Sequence, residues 1–205
     1  MLGLVLKLGA LGVLTGSTVN IGQGIAPLIV PPLSDAKLSD LRKNTPEALE
    51  SLSRFELVRL WHSLPPPTTT IQMEGFYQGT ILPAGPLAPV SSFITHRLFG
   101  PGEWAGKCFK NGGKAGNNVF ALRRQSQAKL RGSRDFAVSL RSSMLDRRPC
   151  CSLDYGVAGN SFPWCGMRDE LREVRPGLWL GLGSMIATGG PLNSAAFTLQ
   201  KQRNP

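Results

Sequence analysis

Acidic residues are scarce in this 205-residue chain: 13 Asp and Glu stand against 23 Lys and Arg, leaving a net charge of +10. Histidine is scarcer, with only His62 and His96, and the four cysteines Cys108, Cys150, Cys151 and Cys165 form no C-x-x-C pair. The ligand spacing of a structural zinc site is therefore missing. There is no G-x-S-x-G, no glycine-rich phosphate loop followed by Lys-Ser/Thr and no H-E-x-x-H, which argues against the common hydrolase, nucleotide-binding and metalloprotease classes. No cofactor and no metal are expected. Charged residues make up only 18% of the chain against 41% apolar, so the chain as a whole is not disordered. With 24 Gly and 16 Pro, long uninterrupted helices are disfavoured and many short elements expected. The length suits one domain, or one domain with a tail, large enough to hold a core without disulfides. Were the chain exported, Cys150 or Cys151 could pair with Cys165; in the cytosol all four would be free thiols.

What charge there is lies in one region. Residues 107–148 carry eleven basic side chains against only Asp135 and Asp146, whereas the segments on either side are nearly balanced. Arg123, Arg124, Lys129, Arg131 and Arg134 fall in a polar stretch that suits a hairpin and its loop. Such a cluster serves either as a solvated face or as a contact for anionic lipid or RNA. No zinc-finger or RNA-recognition signature accompanies it, which disfavours nucleic acid.

Three regions follow from composition. Residues 1–33 hold one charge, Lys7, and are rich in Leu, Val, Ile and Gly. They read as a signal, an anchor or a hydrophobic arm packed on the domain, so the chain is expected to be membrane-associated or exported, with a cytoplasmic location also open. Residues 34–67 form a helical lead-in. Thr45 before Pro46 reads as an N-cap, Ser53 with Glu56 as a capping box, and Phe55, Leu57, Val58, Leu60 and Trp61 as an apolar face. Residues 68–205 then change to the period of strands.

Eight strands are expected over 70–82, 104–110, 118–124, 135–141, 151–155, 167–174, 178–187 and 195–201, with one helix opened by Pro89 after the first. Eight consecutive strands favour a mainly β fold, a small antiparallel barrel with helices at its N-terminal side, because closure removes exposed edges. A barrel of eight strands is filled by side chains or holds one small ligand.

Two motifs carry glycine beside an aromatic ring. In Gly75-Phe76-Tyr77-Gln78-Gly79 alternation puts Gly75, Tyr77 and Gly79 on one face; in Trp104-Ala105-Gly106-Lys107-Cys108-Phe109 it pairs Trp104 with Gly106 and Cys108, and Lys107 with Phe109. With the Leu57-x-x-Leu60-Trp61 helix before them, these motifs resemble the GXWXG domain. Asp169-Glu170-Leu171-Arg172-Glu173-Val174, Leu180-Gly181 and Phe197-x-Leu199 look like the domain of unknown function that commonly follows it. Tyr77 stands where that family usually has Trp. The resemblance implies a lipocalin-like barrel and carries no activity. The opening is also similar to that of lipocalins, which implies an arginine from a late strand packed across the ring: here Arg172 over Tyr77.

The leading reading is a lipocalin-like binding protein for a small lipophilic molecule, with Tyr77, Trp104, Lys107, Phe109, Phe120, Phe136, Asp169, Arg172 and Trp179 as candidate ligand-binding residues. Two alternatives stay open. One is an enzyme on the same barrel, acting on a small carbonyl or isoprenoid-type compound through Lys107 with Asp169, Glu170 and Arg172. The other is a peripheral binder of an anionic membrane surface, or of RNA, through residues 107–148.

Overall fold

The computed structural model describes residues 33–43, 46–68, 73–82, 100–122, 129–186 and 190–202. The hydrophobic N-terminal stretch before Leu33, Thr45, the helix expected at Pro89, His96, Arg123 and Arg124 lie outside the described residues.

Three short helices lead in: α1 (Asp35–Lys43), α2 (Pro46–Glu50) and α3 (Arg54–Ser63). The capping box at α3 is formed as expected: the Ser53 hydroxyl accepts from the Glu56 backbone N–H, and the Glu56 carboxylate accepts from the Ser53 N–H. Leu64 takes an extended conformation and ends α3 before Pro65, because the residue preceding a proline is pushed out of the helical region. Leu57, Val58, Leu60 and Trp61 are buried, whereas Phe55 is half-exposed.

Eight strands follow: β1 (Gly75–Ile81), β2 (Glu103–Lys110), β3 (Ala115–Leu122), β4 (Lys129–Ser142), β5 (Pro149–Asp154), β6 (Met167–Arg175), β7 (Leu178–Met185) and β8 (Ala195–Lys201). Each pairs antiparallel with the next and β8 closes on β1, so the expected eight-stranded barrel is present. The strand limits differ where the backbone turns. Asn111, Gly112 and Gly113 all have positive φ, which makes a tight turn and lets β3 start at Ala115 rather than at 118. Strand β4 starts at Lys129 rather than at 135, because its pairing with β3 continues past a β-bulge at Arg134, which has φ of 59° and is an extra residue between the Asn117–Asp135 and Asn118–Ser133 pairs.

Alternation along the strands divides the apolar residues into two cores. The inner one fills the barrel and includes Tyr77, Trp104, Phe109, Phe120, Phe136, Leu153, Tyr155, Leu171, Trp179 and Phe197. The outer one lies between the helices and the wall made by β5 to β8: Leu38, Leu41, Leu57, Leu60 and Trp61 meet Cys150, Val174, Leu178, Leu180 and Leu182. Each such leucine contributes about 1.5–3 kcal/mol by leaving water.

The two ends of the barrel differ. One carries the turns after β2, β4 and β6; the other, the mouth, carries the connections after β1, β3, β5 and β7.

Candidate functional site

Near the mouth, three strands and one connection bring polar groups into the apolar lumen. Lys107 extends from β2 and its ammonium donates to Asn118 Oδ1 on β3, to the Tyr155 hydroxyl just past β5 and to Asp169 Oδ2 on β6, each at 2.7 Å. All three of its protons are thus engaged. Tyr155 in turn donates to Asp169 Oδ2 at 2.7 Å and accepts from Asn118 Nδ2 at 2.9 Å, while the Trp104 indole donates to Asn118 Oδ1 at 3.0 Å. The ammonium also lies 5.2–5.6 Å from the ring centroids of Phe197, Phe136, Tyr155 and Trp104. Four aromatic faces around one cation add to its stabilisation.

Burial lowers the pKa of Lys107, and the Asp169 charge and hydrogen bond act against that shift. Tyr155 is raised well above its ordinary value, first by burial and then by the neighbouring Asp169 charge. Its hydroxyl therefore stays protonated as a donor.

The two oxygens of Asp169 are used unequally. Both hydrogen bonds to the carboxylate fall on Oδ2, and among the described residues no donor meets Oδ1. Oδ1 faces Gly183 on β7, so closely that a Cβ at 183 would stand 2.9 Å from it. Gly183 is half-buried, as are the rim residues Met167, Met185, Ile81 and Trp164. Solvent thus reaches down from the mouth beside Asp169, although the carboxylate itself is buried.

The lumen around this group is filled. Tyr77, Phe109, Phe136 and Tyr155 form a ladder of edge-to-face contacts with centroids 5.4–5.5 Å apart, and on the mouth side Trp104 meets Phe197 at 5.6 Å. The inward glycines are occupied by neighbours: a Cβ at Gly79 would meet the Trp104 ring at 2.3 Å, and one at Gly181 the Phe197 ring at 2.2 Å. Tyr77, Phe109, Phe120, Phe136 and Trp179 accordingly lie in the inner core, packed on one another, while Trp104, Lys107 and Asp169 belong to the polar group.

Three expectations are corrected. Trp104 shares the inner side with Lys107 and Phe109, rather than the side of Cys108, because a β-bulge falls between Trp104 and Gly106. Gly106 has φ of 141°, and a Cβ there would lie 2.1 Å from the Tyr77 carbonyl oxygen, so only glycine fits. Arg172 does not reach the lumen or Tyr77. It points from the outer face of β6, with its guanidinium 4.4 Å from the Trp61 ring of α3, and pairs bidentately with Asp146 at 2.6 and 2.8 Å. Glu170 shares that outer face, accepting from the Ser143 hydroxyl at 2.6 Å and the Met144 N–H at 2.8 Å. Alternation along β6 thus divides Lys107, Asp169, Glu170 and Arg172 between two sides of the sheet, and they do not form one site.

Asn118 and Tyr155 were missed as site residues. The signal was present: Asn118 precedes inward Phe120 by two residues, and Tyr155 continues the inward series of Cys151 and Leu153. Among the cysteines, Cys150 belongs to the outer core and Cys151 to the inner, Cys165 is exposed, and all four are free thiols. Burial pushes Cys150 and Cys151 up to about 12.

No family model and no curated protein matches the chain. Among solved structures it is similar to a protein from Thermomonospora curvata, with a TM-score of 0.56 and 18% identity over 81% of this chain and 98% of that one. At that identity the likeness concerns the barrel fold alone. An eight-stranded barrel of this kind is compatible with binding a small molecule.

Proposed function

We propose that the barrel binds one small lipophilic molecule at its mouth, with the apolar body among Ile81, Trp164 and Met167 and a single hydroxyl or N–H group on Asp169 Oδ1. The observation that carries this reading is a carboxylate oxygen that meets no protein donor and borders Gly183 on the mouth side. A charged acceptor placed so takes its hydrogen bonds from water, and a guest's donor can replace that water. The ion pair itself adds weight. Replacing a buried pair by packed apolar residues is often neutral or stabilising, so stability alone does not account for Lys107 and Asp169.

An enzymatic reading now rests on fewer groups. Glu170 and Arg172 are on the far side of the sheet, and Lys107 has no proton-free electron pair while its ammonium serves three acceptors. The binding reading needs none of these groups to change state.

Native mass spectrometry of protein purified from its own source checks for a retained guest. A tryptophan-fluorescence titration then compares a long-chain primary alcohol with the alkane of equal length. The alcohol should bind at least about tenfold tighter, the worth of one good hydrogen bond to a charged acceptor. Gly183→Ala, which presses a methyl group on Oδ1, should remove that preference. Equal binding of the two probes, or a protein that holds neither, overturns the reading.

A further inference from the structure

Charge at the mouth end sorts by face. Asn118 and Phe120 of β3 point into the lumen, and residues directly opposite one another across an antiparallel pair share a side. Ser133, Arg131 and Lys129 of β4 stand opposite Asn118, Phe120 and Leu122, so they belong to the lumen side. The acidic residues on the strands at this end lie on the outer side. Glu103 stands opposite Ala121 and Asp135 opposite Asn117, which alternate with the inward Phe120 and Asn118, and Asp154 falls between the inward Leu153 and Tyr155. Arg168, opposite Asp154, is on the outer side too and pairs there with Glu170 at 3.2 Å.

On the lumen side Lys107 and Asp169 neutralise each other. Among the described residues the other charges on that side of the mouth are cations. Arg131 and Lys129 are exposed and occupy the next two inward positions of β4 beyond Ser133, each a step of about 7 Å further from the polar group. Arg134, the bulge residue, adds a guanidinium 4.7 Å from the Trp164 ring, which packs on the inner core where the guest's apolar body is assigned. The connections at this end, residues 82–102, 123–128, 155–166 and 186–194, contain no Asp or Glu.

We infer that the guest is an amphiphile with an anionic head group, held at the rim by Lys129 and Arg131 while its hydroxyl or N–H group meets Asp169 Oδ1 deeper in the lumen. This inference rests on the binding reading above and adds to it the charge of the guest. Asp169 offers no net charge to a cationic guest, because the Lys107 ammonium already cancels it. A guanidinium matches the two oxygens of a carboxylate in one plane, and an ammonium two positions away on the same face adds a second positive charge. The rim suits the head group for a further reason: both cations are exposed, so a carboxylate there keeps most of its hydration, which the apolar lumen would strip away. The guest is thereby oriented, with its donor inward and its charge outward.

Tryptophan-fluorescence titrations of the full-length chain with an ω-hydroxy carboxylate, its methyl ester, and the primary alcohol and alkane of equal chain length test this. The carboxylate should bind at least about threefold tighter than the ester, the scale of one or two exposed ion pairs. That gain should vanish in about 1 M salt, where charges are screened beyond about 3 Å. In a Lys129→Gln/Arg131→Gln variant the carboxylate and the ester should bind alike. Both side chains are exposed, so an unchanged thermal unfolding curve verifies that the variant is folded. Equal binding of carboxylate and ester by the parent overturns the inference, as does a preference for the carboxylate that survives the double substitution or high salt. The two failures are distinct. When the binding reading fails, the alcohol gains nothing over the alkane; when this inference alone fails, the alcohol keeps its advantage and the added charge brings none.

Discussion

Asp169 and Arg172 stand three residues apart on β6, both buried and both ion-paired, yet on opposite faces of one sheet. Every N–H of Arg172 has an acceptor: Nε donates to the Pro149 carbonyl, Nη1 to the Trp61 carbonyl and Asp146 Oδ2, and Nη2 to Asp146 Oδ1 and the Arg148 carbonyl. The carboxylate of Asp169 is satisfied at Oδ2 only. The Arg172 guanidinium is saturated and joins α3 to the barrel, although Trp61 Nε1 and His62 Nε2 beside it are buried without a partner. The inner group leaves Oδ1 of Asp169 without a protein donor. Arg172 is tied to three backbone carbonyls and Lys107 to side chains alone, and that, rather than burial or charge, distinguishes a fastening from a candidate site.

The largest effect that separates the two should come from Arg172→Met. It leaves the buried Asp146 carboxylate without its guanidinium and takes one donor each from the Pro149, Trp61 and Arg148 carbonyls, and is expected to lower stability by about 3–5 kcal/mol, read from the urea midpoint. Lys107→Met alone should act similarly. The paired replacement Lys107→Met/Asp169→Leu should instead return stability to near that of the parent, because no backbone group depends on the inner pair, while removing the alcohol preference. A paired replacement as harmful as the single one would show the inner pair to be a fastening too.

A smaller loss, about 1–3 kcal/mol, is expected of Gly181→Ala, whose methyl group has no room beside the Phe197 ring. Acid should weaken the outer cluster. Burial alone would raise the Asp146 carboxyl, but hydrogen bonds from His62 and Arg172 and the guanidinium charge hold it well below the usual carboxylate range. A carboxylate depressed in the folded state contributes stability that is present above its unfolded pKa of about 3.9 and is lost as pH falls towards the folded value. Urea midpoints taken from about pH 5 downwards should therefore drop less steeply in Asp146→Asn than in the parent. The least effect, about 1 kcal/mol, is expected from Ser53→Ala, which removes the α3 cap and touches neither cluster.

The sequence made much of this legible. The eight-strand count, the capping box and the shared face of Tyr77 and Gly79 follow from local patterns, and all the candidate site residues except Arg172 do face inward. What escaped was set by long-range geometry. The bulge at Trp104–Gly106 reverses the face of Trp104, and its signal, a glycine inside a strand, marks the place of a bulge without its effect. Arg172 was assigned to Tyr77, whereas Trp61, 111 residues earlier in the chain, provides its ring. Alternation puts Glu170 and Arg172 on one side of β6 and Asp169 and Leu171 on the other, but which side is inside is fixed only by closure of the barrel.

The end of α3 illustrates how far such distant dependence extends. Its last carbonyls, on Trp61, His62 and Leu64, are met by Arg172 and Arg148, which belong to β6 and to the turn before β5. A helix that lacks a glycine stop and borrows its terminus from the sheet has little reason to persist before the sheet exists. Helical order around residue 60 is therefore expected late in refolding, where its appearance would serve as a clock for closure of the cylinder behind it.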